Sequence, residues 1–374
     1  MTKYIGNAPT ALPLTSADIA DGIITSAKIA DGTIATADIA DANVTSAKLA
    51  SGTVQNQSAF KNIIINGDMS IAQRATSTSS ITGNGYHTID RYHLNLDTMG
   101  TWTQSQSTTV PSGQGFAKSL KMDCTTADAS PAASDQNNLQ IKLEGQNLQY
   151  LKKGTSSAES ITCSFWVRSN KTGTYIVRIK DNDNSRSISQ SYTISSADTW
   201  EKKTLTYAGD TTGTLNNDAN ISMTIDFCLG AGTTFTSGTL QTSWGSDTTA
   251  NRYVGQVNLA DSTSNEWYIT GIQLEAGTSA SDFEFLPHDV NEKRCLRYYF
   301  VHSNTSAFYA PYTSNDTYNV YWNSFPVPMR AAPTLTETSS RGWHMTNKTR
   351  FQADLYRSPQ GNYLPPNYTA ESEL

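Results

Sequence analysis

Five histidines, four cysteines and scattered carboxylates are the side chains of this sequence that could do chemistry, and their spacing offers little. His87, His93, His288, His302 and His344 form no metal-binding interval such as H-E-x-x-H, which sets two imidazoles on one helix face. The nearest pair, in "YHTIDRYH", places Asp90 and Arg91 between His87 and His93, and it reads first as a surface turn with Tyr86 packed beneath. No G-x-S-x-G elbow, Walker A loop or G-x-G-x-x-G turn occurs. Sugar-cleaving sites need two carboxylates, and stretches such as "DNDNS" at 181–185 read as turns instead. The expectation is a chain with no catalytic residues. Cys124, Cys163, Cys228 and Cys295 lie far apart; "ITCSFWV" and "IDFCLG" put two of them in apolar runs, so buried free thiols are expected.

Binding chemistry is better represented. Tyr309, Tyr312, Tyr318 and Trp322 crowd one short span with Tyr321 and Phe325, and Trp343 follows. Aromatic and polar surfaces of this kind suit a glycan or a protein receptor, because a sugar's apolar face packs on a π surface. The same rings suit packing between subunits. Trp102, Tyr207 and Trp244 are further candidates for sugar stacking or for core packing, while Trp166 and Trp267, in strongly apolar runs, are assigned to the core.

What positions these residues is β structure. The runs "SLKMDC", "ITCSFWVRSN", "GTYIVRIKDN", "WEKKTLTY", "ISMTIDFCLG" and "NEWYITGIQLEAG" read as strands of half-buried sheets, separated by Ser, Thr, Asn and Gly turns. Charged residues make up only 16% of the 374 and hydrophobic ones 37%, a composition of turn-rich β proteins. An all-β, two-sheet sandwich of jelly-roll type is expected over 59–290, and a small β-rich tip over 291–374. The net charge of −6 argues against a nucleic-acid partner. No apolar run reaches the ~20 residues of a membrane span, and the start, "MTKYIGNAPTALPL", lacks the apolar stretch of a secretory leader.

Residues 14–58 differ from everything after them. Ile19, Ile24, Ile29, Ile34, Ile39, Val44, Leu49 and Val54 recur every five residues, with turn formers such as Asp21-Gly22 and Asp31-Gly32 between them. Five is not a helical interval; short strands alternating with bends fit it. One such row cannot bury enough apolar area against its conformational entropy, so it implies a partner, and the simplest is an identical chain. Asp18, Lys28, Asp38 and Lys48 alternate in charge and can fix register between copies.

Four segments carry a family resemblance. "NIIINGDMSIAQRAT" from Asn62 resembles the opening of carbohydrate-binding-module-like jelly rolls in phage tail proteins. "ITGIQLEAGTSASDFEFLPHDVNEKRCLRYY" (269–299) is similar to the tail-fibre junction in which a last sandwich strand runs through Q-L-E-x-G into a short helix ending in C-x-R-Y-Y. "FPVPMRAAPT" (325–334) and the final "NYTAESEL" resemble tail-fibre C-terminal domains. The resemblance implies a trimeric virion fibre made in the host cytoplasm: residues 1–13 attach to another tail or virion component, 14–58 form a shaft, and the distal modules adhere to a host-surface receptor, a glycan before a protein. A purely structural head-fibre or tail-assembly role and a polysaccharide depolymerase are the alternatives. It also implies a structural calcium with Asp68 as first ligand; the second acidic ligand expected in the last strand is replaced by Thr270-Gly271. No other cofactor is expected.

Overall fold

The computed structural model describes residues 60–303, 319–339, 342–346, 348–357 and 366–374. The repeat, with all eight of its apolar positions, lies outside them, as do residues 1–13. Residues from Phe60 to Leu374 form one compact unit.

Thirteen strands build the larger part: β1 (Ser77–Ile81), β2 (Gly85–Tyr86), β3 (Tyr92–Asp97), β4 (Thr101–Ser107), β5 (Ser119–Thr126), β6 (Gln136–Glu144), β7 (Ile161–Ser169), β8 (Gly173–Asp181), β9 (Arg186–Ile194), β10 (Glu201–Tyr207), β11 (Ile221–Ala231), β12 (Gly245–Ser246) and β13 (Glu266–Ala276). They pair antiparallel in two sheets, β1-β4-β5-β13-β7-β10 and β12-β9-β8-β11-β6-β3-β2. This is the jelly-roll sandwich expected, and all six runs read as strands are strands.

Alternation explains the core. In β7, Ile161, Cys163, Phe165 and Val167 point inward and are buried. Trp166, assigned to the core from its apolar run, falls on the opposite parity and is only half-buried. Opposite strands contribute Tyr175, Val177 and Ile179 from β8 and Ile225, Phe227 and Leu229 from β11. β13 breaks the alternation at a bulge between Thr270 and Gln273, where Gly271 takes φ +63. A Cβ on Gly271 would lie 2.5 Å from the Phe116 ring, so both backbone and space call for glycine there. The bulge moves the inward parity from Trp267 and Ile269 to Ile272 and Leu274. All four cysteines are buried and free.

Two short helices flank the strands, α1 (Thr233–Thr236) and α2 (His288–Leu296). The second is the helix that the C-x-R-Y-Y segment implied, and it runs through the expected 290/291 division without interruption. Beyond it come β14 (Tyr299–His302), β15 (Asn319–Ser324), β16 (Thr334–Glu337), β17 (His344–Thr346), β18 (Gln352–Arg357) and β19 (Tyr368–Glu371), in sheets β14-β19-β16 and β15-β18-β17. The proline-rich stretch is irregular and leads into the edge strand β16, consistent with a residue that cannot donate to a ladder. Among the described residues no helix is long and apolar enough to cross a membrane.

Candidate functional site

The residues singled out in the sequence do not converge. Tyr309, Tyr312 and Tyr318 lie outside the described residues. Trp322 sits in β15 in register with Asp354, and its side chain is likewise outside the description. Trp343 is buried, in a small core with Phe325, Met329, Leu355 and Tyr368. In a single chain its ring is therefore packing, and the receptor-facing role expected of it is corrected. Trp102, Tyr207 and Trp267 are fully buried. Trp244 is half-buried: its Nε1 donates to the Ala208 carbonyl at 2.7 Å, and Lys153 Nζ lies 5.1 Å from its ring centre.

The histidine-flanked turn separates as well. Asp90 accepts hydrogen bonds from Gln73, while Arg91 forms a buried ion pair with Glu373. Tyr86, expected beneath the turn, is half-buried and stands edge-on to His93 at 5.0 Å.

Asp68, the expected calcium ligand, lies just after the Asn66-Gly67 turn. Its Oδ1 accepts from Ser70 Oγ at 3.0 Å and from Asn291 Nδ2 at 3.1 Å. Among the described residues no group of three His, Cys, Asp or Glu side chains could hold a metal. The hydrogen bonds to Asn291 tie the Asn66-Gly67 turn to α2.

A polar face that the sequence reading missed is assembled on the seven-stranded sheet. Its outward parity carries Arg178 (β8), Asp226 (β11), Gln140 (β6) and His93 (β3) in one row across four adjacent strands. Gln140 Nε2 donates to Asp226 Oδ1 at 2.9 Å; Arg178 Nη1 and the Tyr253 hydroxyl donate to Oδ2 at 2.9 and 2.8 Å. A second row holds Lys180, Thr224 and Lys142, and a third Cys228, Asn138 and Asn95. Phe235 and Tyr253, on the segment after β11, pack on Ile176 and Cys228 and roof one side of this face.

The other side is left as a trough floored by His93, Asn95, Gln140 and Lys142, all half-buried. Its rim is Tyr86 with the last residues of the chain: the Tyr86 hydroxyl and Lys142 Nζ both donate to a main-chain oxygen of Leu374, at 3.0 and 2.9 Å. Among the described residues three buried polar atoms of the face have no hydrogen-bond partner, His93 Nδ1, Asn138 Oδ1 and Arg178 Nε. Burial, helped by the nearby Lys142 charge, lowers the His93 pKa to about 4, so its imidazole is neutral at pH 7. A neutral imidazole donates at one nitrogen and accepts at the other. The signal that could have found this face is the strict alternation of "YHLNLD" in β3, whose polar half is the trough floor.

No protein-family model matches the sequence, and no sequence among curated proteins matches it. Solved structures of similar shape exist at low identity. One is the enzymatically active domain of tailspike protein 4 of bacteriophage CBA120, 12% identical with a TM-score of 0.31 over 58% of this chain and only 21% of that one. A putative sugar binding protein from Bacteroides thetaiotaomicron is 12% identical, TM-score 0.31, over 57% of this chain and 99% of its own. A xylan-binding domain from Paenibacillus barcinonensis is 11% identical, TM-score 0.25, over 55% and 94%. These likenesses are distant, and the jelly-roll assignment rests on the strand order and core described above.

Proposed function

We propose that this chain is a bacteriophage fibre protein of the virion, joined to other virion proteins through residues 1–13, and that its sandwich binds a host-surface glycan in the trough of the seven-stranded sheet. The observation that carries the binding reading is the cluster of half-buried polar side chains there, His93, Asn95, Gln140 and Lys142, held side by side by the pairing of β3 with β6. A sugar hydroxyl, which donates and accepts at once, suits a neutral imidazole beside side-chain amides. The half-buried Tyr86 ring at the rim offers a surface for an apolar sugar face. The fibre assignment is supported by the junction and C-terminal motifs, and the apolar repeat supports assembly of identical chains, a homotrimer by the resemblance. Several weak sites on one particle then add to high avidity.

Adhesion without turnover fits the carboxylates. Both oxygens of Asp226, the acid at the centre of the face, are taken by Gln140, Arg178 and Tyr253, leaving neither free to move a proton. The test is staining of host cells by the labelled full chain, with His93→Ala/Gln140→Ala as the comparison. Staining that the double variant loses at least tenfold is expected. Equal staining by both proteins overturns the site. Failure to stain any host favours a purely structural virion role, and release of reducing sugar from host polysaccharide overturns the non-enzymatic reading.

A further inference from the structure

The described chain begins at a corner rich in exposed rings. Phe60 is 59% exposed and Phe285 50% exposed, two of the five large apolar side chains left open among the described residues. Phe285 is no loose loop residue. Its ring packs against Phe283 and Phe116, with centroids 4.8 and 5.1 Å away, and Phe116 is buried against the glycine bulge of β13. Between the two phenylalanines Glu284 acts as a clamp: its Oε1 accepts from the Phe60 N–H at 2.5 Å and its Oε2 from the Asn62 N–H at 2.9 Å. Its own N–H donates to Gln273 Oε1 at 2.8 Å, and Gln273 Nε2 reaches the Asp282 carbonyl at 3.2 Å. The junction motif thus holds an apolar corner in one conformation with its carboxylate already satisfied. Little ordering entropy remains to oppose association there.

We infer that this corner is a contact between copies of the same chain, formed where the apolar repeat ends. The inference rests on the assembly reading above and extends it to a named surface of the folded unit. The occupant follows from chain length. Val54, the last of the eight apolar positions, precedes Phe60 by six residues, a span of at most ~21 Å when fully extended. Any association of the repeat rows therefore confines the Phe60 corners of neighbouring copies to a small volume, at effective concentrations on the order of millimolar. An apolar patch too small to dimerise free chains is then sufficient. A different partner would not be delivered to this corner by the repeat.

The test uses the full chain with the photo-crosslinking analogue p-benzoylphenylalanine at position 285, and at Phe351, an exposed ring of the tip, as control. Mass in solution is measured first, then adducts after irradiation. The expected result is an oligomer giving chain–chain adducts from position 285 and at least tenfold fewer from 351. An oligomer without adducts at 285, or with equal adducts at both positions, overturns the corner and leaves the assembly reading standing. A monomeric full chain overturns both. Adducts at 285 only with another virion protein, in assembled particles, reassign the surface and overturn the inference. The analogue replaces one exposed ring by another, so folding is retained. As a second reading, Phe60→Ser/Phe285→Ser lowers the concentration-dependent dissociation temperature of the oligomer without changing the near-ultraviolet spectrum of the sandwich core.

Discussion

Lys153 offers the sharpest test of how the sandwich loops are held. Its ammonium is nearly inaccessible and is bonded by four oxygens: Asp181 Oδ2 at 2.5 Å, Asp210 Oδ2 at 2.9 Å, and the Thr212 and Gly213 carbonyls at 3.2 and 2.9 Å. Replacing it in Lys153→Met keeps the apolar stem and removes the charge. Asp210 retains a bidentate Arg186 at 2.8 and 3.0 Å. Asp181, wholly buried, keeps only Asn184. Removing one partner of a buried pair typically costs 3–5 kcal/mol, and the surviving partners place this case near the lower end, about 3 kcal/mol. A unit of about 300 residues unfolds with an entropy of roughly 0.6 kcal/mol per kelvin, so the melting midpoint falls by about 5 °C. The loss also has a pH signature. Burial pushes Asp210 towards protonation, but hydrogen bonds from Arg186 and Lys153 outweigh it and hold the carboxyl below its usual range. A carboxyl depressed in the folded state contributes stability that is complete above about pH 4 and disappears as pH falls through the folded value. The variant lacks part of that depression, so the two proteins converge in acid. Urea titrations of both proteins at pH 7 and pH 3.5 check this. A difference below about 1 kcal/mol at pH 7, or one that does not shrink at pH 3.5, refutes the reasoning.

Glu373→Ala strands Arg91, which is 2% exposed and paired to Glu373, and is expected to cost about 3–5 kcal/mol in a denaturant titration. Gly271→Ala combines a left-handed φ with contact against Phe116; a loss of at least ~2 kcal/mol is expected, while Gly113→Ala, at similar φ with open space around it, loses about 1. His93 titrates at about 4 when folded against about 6.5 unfolded, so the unfolded state binds the extra proton and stability rises with pH across that window. His93→Gln removes this slope, flattening stability between pH 6.5 and 4 by on the order of 2–3 kcal/mol, as urea midpoints at both pH values read directly.

The parts of this architecture that were legible in advance are those where one residue's parity settles its neighbours. β7, β8, β11 and β13 announce themselves because β-branched and aromatic residues alternate over nine to eleven positions. Trp166 shows the limit: hydrophobicity of a run does not settle which face one ring occupies, whereas counting by twos from Phe165 does. The trough was hidden for a related reason. The alternation of "YHLNLD" marks which face His93 and Asn95 occupy, but it does not bring them beside Gln140; that takes the lateral register among β3, β6 and β11, which no local pattern encodes. Glu144 illustrates a second kind of blindness. It receives Arg297 in a bidentate pair at 3.1 and 2.7 Å and the Tyr298 hydroxyl, partners more than 150 positions away that turn the C-x-R-Y-Y segment into an anchor.

That anchor bears on how the tip and the trough can work. Arg330, from the proline-rich segment, donates to the Ser372 and Glu373 carbonyls at 2.6 and 3.0 Å and to the Ala219 carbonyl of the sandwich at 2.9 Å. Glu373 returns to Arg91 and Arg74, and Leu374 to Lys142 and Tyr86. Lys142 and Tyr86 belong to the trough, so β19, the middle strand of the β14-β19-β16 sheet, runs directly into the trough's rim. The two regions are therefore not interchangeable modules that a linker joins. On the proposed glycan-binding reading, Glu373→Ala is expected to lower affinity as well as stability, whereas Lys153→Met, at the Asp181 end of β8, is expected to lower stability with affinity unchanged at temperatures where both proteins are folded. Binding measured for the two variants at 15 °C separates these outcomes: equal affinity in both would mean that the rim formed by the last residues takes no part in recognition.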